Sequence, residues 1–215
     1  MDQISSLITL TFPDTRPDLT TLPEINAGLA RYNARLWPID LVAVPVRVAA
    51  WLRQETLTAA ECSAVLDHFL LSREELLRLI GEAGRKPQVA GGGEMETLDT
   101  SNRVRYPQLY LVDAGIDYSR FDRFHVNAAA DGTGVDDILQ LLSGGKIRLL
   151  LQIKNEGLVT LSLAADNSTG WIVTYDGRHP HIGSLTGARP GTKLLAQVIG
   201  PAEWTVRYQE NATSQ

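Results

Sequence analysis

His125, Asn127, Asp137 and His181 are the residues of this chain whose types and spacing suit metal chemistry. In an extended strand, side chains two apart point to the same face, so His125 and Asn127 look one way and Val126 the other. A second strand carrying His181, laid alongside in a small barrel, aims two imidazoles, an amide and a carboxylate at one point. Imidazole and carboxylate on one side of an ion, with open positions opposite, is the pattern of non-haem iron. Asp131, four residues after Asn127, is a rival to Asp137 as the acidic member. Each residue also has a plainer reading. His125 suits a hydrogen-bonded strand histidine, Asn127 a structural amide beside a turn, Asp137 the solvent side of a strand start, and Asp131-Gly132 a turn. His179 flanks His181 across Pro180 and reads as a surface or outer group.

The same residues carry a resemblance. The run from Phe124 to His181 resembles the two motifs of the cupin family, a small antiparallel jelly-roll barrel. In the first motif, H-x-H is followed by an acidic residue, six residues and a turn glycine. Here His125-Val126-Asn127 stands at H-x-H, and six residues separate Asp137 from Gly144. In the second, measured from Gly170, His181 falls on the histidine position, while Asp176 and Arg178 replace the usual Pro and Gly. Asn for the second histidine and Asp for Glu make the set similar to that of the two-component hydroquinone dioxygenases, cupins that open aromatic rings. That resemblance implies His125, Asn127, Asp137 (or Asp131) and His181 as ligands of Fe(II) or another divalent metal, with His125 and His181 catalytic. A barrel that has lost its metal is the other implication of the same departures.

Composition sets bounds around this reading. Apolar content of 44% and charged content of 21% in 215 residues are ordinary for a globular chain of one domain with an extension, or two small ones. A net charge of −5 gives no concentrated basic surface for nucleic acid. The single cysteine, Cys62, lies in an apolar helical pattern and reads as a buried, inert thiol. Met1 to Leu7 lacks the pattern of a secretory signal, and no apolar run is long enough to span a bilayer. The expectation is a cytoplasmic protein with no membrane partner.

The elements that must position the site follow from periodicity. Leu7 to Phe12 reads as a lead-in or an edge strand. Leu22-Pro23-Glu24 opens a helix carried by Ile25, Leu29, Tyr32 and Leu36 and stopped at Pro38, and a second helical run covers about 39–54. Thr58 to Glu61 and Ser72 to Glu75 match capping boxes that start two more helices. These two short helices resemble a helix-turn-helix, but so few basic residues follow Ser72 that plain helix packing is the preferred account. Residues 86–102, with Gly91-Gly92-Gly93, read as a linker. Beyond Arg103 the period changes to 2, and eight or nine short strands punctuated by turn residues predict an antiparallel sandwich or barrel.

The sequence thus predicts an α+β chain: a helical region over 1–85, a linker over 86–102 and a cupin-like barrel over 103–215. Phe124, Trp171 and Tyr175 are candidate walls of a substrate pocket, and Arg148 or Arg178 a candidate countercharge for a phenolate or carboxylate. Tyr106, Tyr110 and Trp204 serve equally as core or pocket. The function the resemblance implies is a ring-cleaving dioxygenase, or a subunit of one, acting on a small hydroxylated aromatic such as hydroquinone. The alternative is a metal-free structural or ligand-binding cupin. A homo-oligomer, or a hetero-oligomer with another cupin subunit, is expected to cover exposed sheet edges.

Overall fold

A computed structural model describes residues 6–87, 95–97, 105–113, 115–119 and 122–209. The chain opens with strand β1 (Ile8–Thr11), helix α1 (Leu22–Leu29) with a 3-10 turn through Tyr32, and strand β2 (Arg35–Asp40). Three helices follow: α2 (Val46–Leu52), α3 (Ala59–Phe69) and α4 (Arg73–Glu82). The remainder is β: β3 (Met95–Thr97), β4 (Arg105–Tyr106), β5 (Gln108–Leu111), β6 (His125–Ala128), β7 (Asp136–Ser143), β8 (Gly145–Ile153), β9 (Gly157–Ala164), β10 (Thr169–Asp176), β11 (His181–Ser184), β12 (Lys193–Ile199) and β13 (Glu203–Tyr208).

Two sheets face one another. The first runs β1-β9-β8-β11-β6-β13-β3-β4 and the second β2-β10-β7-β12-β5. Pairing is antiparallel except between β13 and β3. Alternation decides what each strand buries: Ile147, Leu149 and Leu151 of β8 are buried, while Lys146, Arg148 and Gln152 between them are exposed. With Val159, Leu161 and Leu163 of β9 and Trp171, Val173 and Tyr175 of β10, they fill the space between the sheets.

The second sheet is buried on both faces. Its outer face carries Leu142, Leu195, Ile138 and Ile199, on which Leu52, Val65 and Phe69 of α2 and α3 and Leu76 and Ile80 of α4 pack. The helices start where the capping boxes predict: Thr58 and Ser72 accept from the backbone N–H of Glu61 and Glu75, and the glutamates reach back to the cap N–H groups. Plain packing therefore accounts for the α3–α4 pair. Cys62 is half-buried rather than fully buried.

Two expectations differ from the fold. Residues 35–40, expected to end one helix and begin the next, form β2 at an edge of the second sheet. Pro38 is tolerated there because an edge strand does not need every N–H. Of the two readings of Leu7 to Phe12, the edge strand is the one observed, as β1. Most of the expected linker lies outside the described residues, but Met95–Thr97 within it is a strand paired to β13. Among the described residues no helix is long and apolar enough to cross a membrane.

A buried polar clasp fixes helices to sheet. Gln197 Oε1 accepts from the Leu71 N–H (3.0 Å) and from Gln140 Nε2 (3.1 Å), while Gln197 Nε2 donates to the Leu71 carbonyl (3.1 Å). Gln197→Leu keeps the volume but strands those partners, so denaturant unfolding is expected to show a loss of about 1–3 kcal/mol. An unchanged midpoint would mean the clasp contributes nothing.

Candidate functional site

The chemistry gathers at one end of the space between the sheets. His125 opens β6 and His181 opens β11, and the two strands pair so that these residues stand opposite each other. Their ring centroids are 4.3 Å apart. Asn127, two residues along β6, shares the face of His125. Across the gap the second sheet supplies Asp137 on β7 and Tyr175 on β10, themselves cross-strand partners. Tyr175 lies with its ring centroid 4.9 Å from that of His181. Three residues of one sheet thus meet two of the other.

Asn127 joins the set. Its Nδ2 donates to Asp137 Oδ2 (3.2 Å) and lies 3.3 Å from His181 Nε2, whereas its Oδ1 is buried without a hydrogen-bond partner. Both histidines are held alike. His181 Nδ1 lies 2.8 Å from the His179 carbonyl, and His125 Nδ1 lies 2.9 Å from the Arg123 carbonyl. A carbonyl only accepts, so each bond puts the ring proton on Nδ1 and the lone pair on Nε2. That tautomer, set by a backbone carbonyl behind the ring, is how metal-ligating histidines are oriented.

Burial controls the charges. Asp137 is pushed up to about 8, first by desolvation and then by Asp136 and Asp176, against the hydrogen bond from Asn127 and the charge of Arg85. His181 is pulled down to about 3, first by desolvation and then by His125. Near neutral pH the interior therefore holds a protonated carboxyl and a neutral imidazole.

The residues expected at a metal site are brought together in the cases of His125, Asn127, Asp137 and His181. Asp131 is not: it lies in an exposed turn, accepting from the Thr133 N–H. His179 gives the site only its carbonyl. Of the expected pocket walls, Tyr175 is in place. Trp171, four residues earlier on β10 and so about 13 Å away along the strand, belongs to the apolar core and bonds the Ala164 carbonyl. Phe124 precedes His125 in extended chain and so faces the other side. Arg148 projects from the outer face of β8 into solvent, and Arg178 is paired with Asp176.

Sequence reasoning missed three contributors. Gly177, in the turn after β10, permits the approach of strands: a Cβ there would lie 2.4 Å from Asp137 Oδ2 and 2.7 Å from the Val135 carbonyl. Tyr208, the partner of His125 on β13, packs edge-on at 5.7 Å. Arg85, past the end of α4, donates to Asp136 and to Thr174 Oγ1, and Thr174 in turn donates to the Asp137 carbonyl. No spacing in the sequence connects Arg85 to the strand ends.

The chemistry of these donors suits a divalent metal. Two imidazole lone pairs, a buried amide oxygen without a partner and a carboxyl fit a mixed nitrogen and oxygen site. Among the described residues no three His, Cys, Asp or Glu side chains are grouped to hold an ion by themselves, so the set depends on Asn127.

The shifts fix a pH dependence for the metal-free protein. Asp137 is raised, so its contribution is present below 3.8 and lost as pH climbs through about 8. His181 is depressed, so its contribution is present above 6.5 and lost as pH falls toward about 3. The slopes oppose one another where the windows overlap, leaving Asp137 alone above pH 6.5. Denaturant titrations from pH 6.5 to 8 should show a fall of about 2 kcal/mol. The fall is expected to vanish in Asp137→Asn; its persistence there would assign it to another group.

No family model and no curated protein matches the sequence. Among solved structures the chain is similar to an acireductone dioxygenase from Bacillus anthracis, determined with a cadmium ion in its active centre. The TM-score is 0.59 at 10% identity, covering 92% of this chain and 95% of that one. At that identity the likeness is one of fold, and it shows this chain to have N-terminal helices followed by a cupin-type barrel.

Proposed function

We propose that this chain is a cupin-type dioxygenase that uses a divalent metal, Fe(II) in the first instance, to cleave a small hydroxylated aromatic such as hydroquinone. One observation carries the reading: two imidazoles face each other with Nδ1 of each tied to the carbonyl two residues upstream, which leaves Nε2 as the unprotonated nitrogen, and that of His181 lies 3.3 Å from the buried Asn127 amide. The likeness to a dioxygenase with a cadmium ion in its active centre supports it. His125, His181, Asn127 and Asp137 would hold the metal. When bound, such an ion would supply Lewis-acid activation of a ring hydroxyl and a route for electrons from the aromatic to dioxygen.

The chain's own residues supply the rest. The Arg123 and His179 carbonyls keep the imidazoles oriented, so no rotational freedom is lost on binding. Tyr175 covers His181, and His181 itself is 1% exposed, so water is excluded from that side. The Asp137 carboxyl holds a proton below pH 8 and must release it to become a ligand.

Titration with Fe(II) under anaerobic conditions, or with Co(II), is expected to give one equivalent bound. His125→Ala and His181→Ala are each expected to lose about 100-fold or more in affinity. Because one proton is displaced from Asp137, affinity should climb about tenfold per pH unit below pH 8 and level off above it. Less than one-tenth equivalent of any divalent metal would overturn the reading. That result would favour the second, a metal-free partner subunit, which the lack of three grouped ionisable ligands among the described residues supports. Oxygen uptake by the Fe(II)-loaded protein, tested across aromatic diols, checks the substrate.

A further inference from the structure

The chain has four tryptophans, and one of them differs in its indole N–H. Trp37 Nε1 donates to Glu82 Oε2 (3.0 Å) and Trp171 Nε1 to the Ala164 carbonyl (2.8 Å). Trp204 is 1% exposed and its Nε1 has no partner. An indole N–H is a donor only, and leaving one unpaired in a dry interior is costly. Such a group persists where something else accepts its hydrogen.

Its position says what. Val206 on β13 pairs with Asn127 on β6, so Trp204, two residues before Val206, lies on the same face and is the diagonal neighbour of Asn127. Diagonal neighbours stand about 7–8 Å apart. Two unpartnered buried atoms, the Asn127 Oδ1 acceptor and the Trp204 Nε1 donor, therefore belong to neighbouring side chains on one inner face. The surroundings are apolar and aromatic. Val135 and Val198 pack on Trp204, and the Tyr106 ring is tilted against it at 5.8 Å. The Tyr106 hydroxyl is itself engaged by Tyr110.

We propose that Trp204 is a substrate-binding residue whose Nε1–H donates to an acceptor oxygen of a small planar ligand lying between it and Asn127. The ligand class is a hydroxylated aromatic or other conjugated oxygen compound. The apolar and aromatic walls around the indole suit a planar ring, and the indole N–H suits an oxygen carried on it. A neutral donor among apolar walls selects an oxygen acceptor and rejects an ammonium group. This deepens the dioxygenase reading and rests on it for the identity of the reacting end.

The test does not use turnover. Tryptophan indoles labelled with 15N give four N–H signals; that of Trp204 is identified by its loss in Trp204→Phe and by contacts to the Val135 and Val198 methyls. Hydroquinone, added to the protein with and without Zn(II), is expected to shift the Trp204 signal saturably and leave the other three in place. Its isostere p-xylene, lacking oxygens, should shift none. Trp204→Phe is expected to weaken hydroquinone binding about fivefold to tenfold while metal affinity stays unchanged. If that variant does not fold, the wild-type titration alone decides. An indole signal indifferent to hydroquinone, or an equal response to p-xylene, overturns the proposal. Because metal affinity is measured separately, a chain that binds metal with a silent Trp204 refutes this inference and spares the metal reading. A responding Trp204 in a chain that binds no metal does the reverse.

Discussion

Asp137, Asn127 and His181 meet between two apolar sheets, and an ionised carboxylate there would cost far more than its one amide hydrogen bond returns. The interior resolves this by keeping both titratable members neutral, with the carboxyl raised and the imidazole depressed. Neutrality makes the hydrogen-bond geometry decisive, because no strong charge pair remains to pull the groups together. The register of β6 against β11 must then be held by everything else. A slip of one residue would turn His125 and Asn127 to the outside together. The pairing of β11 with β8 and of β6 with β13 prevents it, since Leu149 and Leu151 would leave the core in the same movement.

The helical layer contributes more than cover. β7 begins with two adjacent aspartates that face opposite ways, Asp136 outward and Asp137 inward. Asp136 is neutralised by Arg85 at 2.7 Å. The same guanidinium bonds Thr174 Oγ1 and the Asn33 carbonyl, and Thr174 donates to the Asp137 carbonyl at 2.9 Å. One side chain from the end of α4 thus fixes the backbone that aims Asp137, and the Gln197 clasp fixes α4 to the sheet. The second sheet is stiffened from outside so that its inner face can carry a polar site.

Much of this was legible in the sequence because it depends on period and local chemistry. Strict alternation in β8 and β9, turn residues between strands and two capping boxes each announce themselves within a few residues. The meeting of His125, Asn127, Asp137 and His181 was legible through their motif spacing. What failed depended on partners distant in sequence. Residues 35–40 continue the helical spacing of Ile25, Leu29 and Tyr32, and only an open sheet edge beside β10 makes them a strand. Arg148 and Phe124 were placed by residue type without following the alternation that turns them outward. Arg85 and Gly177 carry no motif, since one works across 51 residues and the other by lacking a side chain.

The asparagine at position 127 is then a matter of space. Asn127 N–H donates to the Gly177 carbonyl (2.7 Å), Gly177 N–H to the Val135 carbonyl (2.8 Å), and Val135 N–H to the Asn127 carbonyl (3.2 Å). This closed circuit of backbone bonds draws the start of β6, the approach to β7 and the turn after β10 together. Gly177 makes it possible, with its absent Cβ standing 3.1 Å from Asn127 Cβ and closer still to the Asp137 carboxyl. In a gap so narrow the amide already reaches both Asp137 and His181 Nε2. A bulkier imidazole at 127 would push into Asp137, and separating them would mean breaking the backbone circuit. Asn127, Asp137 and Gly177 are one steric unit, so a larger side chain at any one of them would displace the other two.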